Sequence, residues 1–94
     1  MIRVGILQIY FHVSNSMSLK EKRVVLRQIK DNVKQKFNVS IAEVDNHDKW
    51  QAATIGISCV SHDKKHIDST LNKIRDFFEN NRNIVVNDYQ LEII

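Results

Sequence analysis

The chain contains no proline and only two glycines, Gly5 and Gly56, in 94 residues. Without proline there is no polyproline spacer and no proline-fixed turn, so composition marks no domain boundary. The two glycines lie far apart, which excludes a glycine-rich loop that cradles phosphates. A single cysteine, Cys59, excludes an internal disulfide framework and suits a reducing compartment. No run approaches the ~18 apolar residues of a membrane span. The opening stretch "MIRVGILQIYFHV" is interrupted by Arg3, Gln8 and His12 and lacks a small-residue cleavage site, unlike a secretory signal. A soluble, cytoplasmic protein is expected.

What is present suits one domain spanning 1–94, with 43% hydrophobic residues to supply a single core. Residues 2–13 alternate around Leu7, Ile9, Phe11 and Val13, the period of a half-buried strand. Ser18 followed by Glu21 is a capping-box pattern that predicts a helix from Leu19, with Leu19, Leu26, Ile29, Val33 and Phe37 as its apolar stripe. The runs "NVSIAEVD" and "QAATIGISCV" flank a polar turn and predict a hairpin, with a bulge expected near Ile41 and Ala42. Asp63 predicts the cap of a second helix, whose inner face is Ile67, Leu71, Ile74 and Phe78. A last strand is predicted over 84–93. The order β-α-β-β-α-β predicts an α+β ferredoxin-like sandwich, with both helices on one face of a four-stranded antiparallel sheet.

Charge is unevenly spread. Residues 18–37 hold seven basic and two acidic residues, whereas the rest of the chain holds seven basic and nine acidic. At about 100° per residue, Lys20, Arg23, Arg27, Lys30 and Lys34 fall within one flank beside the apolar stripe. Such a row suits the phosphates of a nucleic-acid backbone, although a solvated helix face has the same pattern. Backbone amides at the helix start, around Leu19 to Glu21, offer a further place for an anion. Lys22 falls inside the apolar stripe, so its stem is expected to cover the edge of the core while its ammonium reaches water or a carboxylate.

"SLKEKR" at 18–23 and "FNVSIAEVDNHDKWQAAT" at 37–54, supported by "GILQ" at 5–8, resemble the YlxP-like bacterial family, catalogued as a domain of unknown function. The resemblance spans essentially the whole chain. It implies a small ferredoxin-like protein whose gene often lies among transcription and translation factors. It supplies no catalytic residues.

Other constellations point to structure more than chemistry. Glu43, Asp45, His47 and Asp48 gather near the turn, but strand alternation separates the first two from the others, so neither a metal site nor an acid–base site is expected. Trp50 is expected to cap the core. His62 and His66 straddle a helix start and make a poor metal pair. Cys59 shares a strand face with Ile55 and Ile57 and is expected to be a buried apolar residue. The third strand, "ATIGIS", lacks the aromatic residues of an RNA-recognition motif. No nucleophile with a base, and no cofactor motif, is present. The expectation is a non-enzymatic accessory protein without a cofactor, touching RNA or a ribosome through the five cations. The alternative is a homodimeric protein–protein or small-ligand module using the open sheet face, with Gln8, Tyr10, His12, Thr54, Ser58, Asp88, Gln90 and Glu92.

Overall fold

The two-residue alternation near the N-terminus becomes strand β1, Arg3–Val13, in the computed structural model, which describes residues 1–94. Leu7, Ile9, Phe11 and Val13 are buried on one side, while Ile6, Gln8 and His12 are exposed on the other. Helix α1, Leu19–Lys36, starts at a complete capping box. Ser18 Oγ accepts from the Glu21 amide at 3.1 Å, and the Glu21 carboxylate accepts from the Met17 amide at 2.7 Å. Strands β2, Ser40–Asp45, and β3, Ala52–Ser61, form the hairpin; helix α2, Lys64–Glu79, and strand β4, Ile84–Ile93, complete the chain. Asp63 caps α2 by accepting from the Lys65 amide at 3.0 Å.

The sheet is antiparallel throughout, in the order β2-β3-β1-β4. One core cluster joins Leu26, Ile29 and Val33 of α1 to Ile67, Leu71, Ile74 and Phe78 of α2 and to inward residues of every strand. Both helices therefore cover the same sheet face, as a ferredoxin-like fold requires. No helix is long and apolar enough to cross a membrane. Gly5 marks a close approach: a Cβ there would lie 2.7 Å from Leu71 Cδ1 and would also collide with Ile67.

One expectation needs correction. The β2 irregularity lies between Glu43 and Asp45, not at Ile41 and Ala42. Glu43 pairs with Ile55 and Asp45 with Thr54, leaving Val44 as the extra residue. Gly56 makes room for it, since a Cβ there would come within 3.0 Å of Val44 Cγ1. The open sheet face carries apolar as well as polar side chains. Ile6, Val44, Val60 and Val85 are exposed, and Ile6 and Val60 flank the predicted Gln8 and Ser58 positions on β1 and β3.

Candidate nucleic-acid interface

A helix buries only the stripe that meets the sheet, so the residues beside that stripe are free to carry charge. In α1 the buried residues are Lys22, Leu26, Ile29 and Val33. Lys20, Arg23, Arg27 and Lys34 are exposed, and Lys30 is half-buried. The structure thus places all five predicted residues along one side of the helix. Lys36, on the other side of the stripe, lies with its Nζ 5.0 Å from the centre of the Phe77 ring in α2. The five-residue flank consequently faces away from α2. Its guanidinium and ammonium groups form no ion pair; the only salt bridges are Lys22–Glu43 and Arg75–Asp76. Asp31 lies four residues after Arg27, a spacing that permits pairing, yet it stays apart.

The helix start is less open to anions than expected. The Glu21 amide is already committed to Ser18 Oγ, and the Glu21 carboxylate lies over the entrance on the Met17 amide. Of the three amides around Leu19 to Glu21, one is filled, and a fixed negative charge stands beside the others. The phosphate-binding candidates are therefore the side chains of the flank, not the amides at its head.

Lys22 does more than cover the core edge. Its side chain is 1% exposed. Its Nζ donates to Glu43 Oε2 at 3.0 Å and to the carbonyls of Asn46, Ala52 and His47 at 2.9, 3.2 and 3.4 Å. One cation thereby ties the head of α1 to both sides of the β2–β3 turn. A charge needs this many partners when it leaves water. The sequence pointed to Lys22 through its place in the stripe but did not identify Glu43 or the carbonyls, which lie 21 to 30 residues away.

The turn residues do not converge on one point. Glu43 is engaged by Lys22, Asp45 Oδ1 accepts from the Asn46 amide at 2.7 Å, and a His47 ring nitrogen lies 3.2 Å from the Glu43 carbonyl. No three His, Cys, Asp or Glu side chains form a group able to hold a metal ion. Asn46 takes the left-handed conformation, φ 63°, which asparagine tolerates, and its Nδ2 donates to Thr54 Oγ1 at 2.8 Å.

Trp50 overturns its expectation. It is 54% exposed and lies outside the core. With His12, Met17, Lys49, Gln51 and Ala52 it lines an open hollow of 470 Å³. The side chain buried at this turn is instead that of Lys22, which bonds the carbonyls of Asn46, His47 and Ala52. Cys59 is buried as expected, and burial pushes its thiol pKa up.

The family model described as "Protein of unknown function (DUF503)" matches residues 4–91. "Uncharacterized protein YlxP" of Bacillus subtilis (strain 168) is 42% identical over 62 residues, which are 66% of this chain and 67% of that protein. Among solved structures, the de novo designed protein Foldit4 superposes with a TM-score of 0.53 at 14% identity, over 97% of this chain and 96% of that one. The de novo designed protein LFR1 1, with a ferredoxin fold, also gives 0.53, at 11% identity over 98% of this chain and 86% of that one. At such identities the likeness concerns the fold alone. The family match covers nearly every element from β1 to β4, and the chain belongs to the DUF503 family.

Proposed function

We propose that this chain is a non-enzymatic cytoplasmic accessory protein that binds structured RNA, free or within a ribonucleoprotein such as the ribosome. The observation that carries this reading is the outward flank of α1, where Lys20, Arg23, Arg27, Lys30 and Lys34 stand without an ion-pair partner. Cations kept together on a folded surface repel one another, and a polyanion relieves that repulsion by releasing its own counterions. Contacts of this kind give affinity and orientation with little reading of base sequence.

The test is salt-dependent binding of structured RNA to the wild type and to Arg23→Ala/Arg27→Ala. The variant should bind more weakly, with a log–log salt slope shallower by about two, one for each lost phosphate contact. Its stability should stay within about 0.5 kcal/mol of wild type, because both side chains are exposed. Equal affinity and equal slope would reduce the flank to a solvated surface.

A second reading rests on a separate observation: Ile6, Val44, Val60 and Val85 expose apolar surface on the open sheet face. A homodimer through that face would cover them. Sedimentation at low and high salt separates the readings, because an apolar contact persists in salt that dissolves phosphate contacts.

A further inference from the structure

We infer that the hollow at Trp50 receives one unpaired nucleobase of an RNA whose phosphates lie along α1. This rests on the RNA-binding reading above and narrows it, from structured RNA in general to RNA with a looped-out or single-stranded residue beside a helical segment.

The first support is the contrast between a held backbone and a free ring. Residues on both sides of Trp50 are tied down. Lys22 holds the carbonyls of Asn46, His47 and Ala52. The Gln51 carbonyl accepts from the Val13 amide at 2.9 Å, and Gln51 Nε2 donates to the Ser16 carbonyl at 2.9 Å. The indole between these anchors is nevertheless more than half exposed. A large aromatic side chain on fixed backbone loses little freedom when another ring stacks on it.

The second support is the lining. No carboxylate is among the residues that line the hollow, and the nearest on the α1 side is Glu21, which accepts from the Met17 amide at 2.7 Å. Lys49 stands next to Trp50 and forms no ion pair. Met17 also lines the hollow and stands directly before Ser18, the cap of α1. Lys20, the first cation of the flank, follows three residues later. Between that flank and the hollow the Glu21 carboxylate lies on the Met17 amide, so Lys49 is the cation that would meet a strand at the hollow itself. His12, also in the lining, is held by Asn87 Oδ1 and packs edge-on against Tyr10, with ring centres 5.7 Å apart. An exposed aromatic ring with a cation beside it can bind unpaired bases with little sequence preference. An aromatic anchor for a protein partner would also expose its indole, but the unpaired Lys49 in the lining favours a polyanion.

Trp50 is the only tryptophan, so the protein's indole emission reports this hollow directly. The experiment titrates wild type, Trp50→Ala, Trp50→Phe and Arg23→Ala/Arg27→Ala with oligoadenine and with a hairpin carrying an adenine loop. A second, fully paired RNA of the same stem is the comparison. The looped hairpin should quench wild-type emission to saturation, and the paired RNA should not. Trp50→Ala, read by fluorescence anisotropy of labelled RNA, should bind the looped hairpin about 5- to 150-fold more weakly. Its salt slope and its affinity for paired RNA should not change. Trp50→Phe should recover most of the loss. If the looped hairpin binds with a salt slope that depends on Arg23 and Arg27 but leaves indole emission unchanged, the hollow inference falls and the flank reading stands. If no RNA binds, both fall. A concentration-dependent blue shift of emission with dimer formation and no response to RNA overturns the inference in favour of self-association.

Discussion

Lys22 joins two distant parts of the chain, because one ammonium shares its three N–H donors among four acceptors of the β2–β3 hairpin. Lys22→Met keeps the stem but strands Glu43 and three carbonyls. Breaking a buried pair on one side costs about 3–5 kcal/mol, and the 16% exposure of Glu43 places this case toward the lower figure. Chemical denaturation should show that loss, and Lys22→Met/Glu43→Gln should recover part of it. Cys59 gives a pH-dependent expectation. Burial raises its thiol pKa in the folded state, so its contribution to stability is complete below the unfolded thiol value. That contribution is lost as pH rises through the folded value. Denaturation from neutral into alkaline pH should show this decline, and Cys59→Ala should lack it.

At the level of elements, α2 lies so close to β1 that Gly5 has no room for a methyl group. Gly5→Ala should destabilise by about 1–3 kcal/mol through overpacking, while Leu26→Ala in α1 should cost about 2–5 kcal/mol through cavity formation. Thermal or denaturant melts of the two variants check both figures. The elements themselves were readable because each has one strong period: two in β1 and β4, and 3.6 in both helices. The five-cation flank was readable for the same reason, since helical geometry alone places those residues together. The bulge was misplaced because it depends on a partner strand, where Gly56 admits Val44. Trp50 was misjudged because an aromatic residue next to a turn is buried or exposed according to what fills the interior beneath it. Here the side chain buried at the turn is Lys22 from another element, which no local pattern of 46–52 records.

For the whole molecule, the formal charge of +3 understates the field a ligand meets. Residues 18–37 are strongly basic, and the remainder is slightly acidic. Binding to a polyanionic matrix should therefore depend on orientation. Arg23→Ala/Arg27→Ala should elute from a heparin column at clearly lower salt than wild type. Lys64→Ala/Lys65→Ala, which removes the same charge from the exposed start of α2, should shift elution much less. Equal shifts would mean that net charge, and not its placement, governs retention.

The Lys22 junction also bears on the order in which the chain acquires structure. Its acceptors belong to the β2–β3 hairpin, which can form locally, but its donor arrives only when α1 docks. The turn and the first turn of α1 are therefore expected to open as one cooperative unit, despite their separation in the chain. Native-state hydrogen exchange should find similar opening free energies for the protected Lys22 and Lys49 amides, which donate to the Ser18 and Asn46 carbonyls. In Lys22→Met the Lys49 amide should exchange independently, turning one late step of assembly into two.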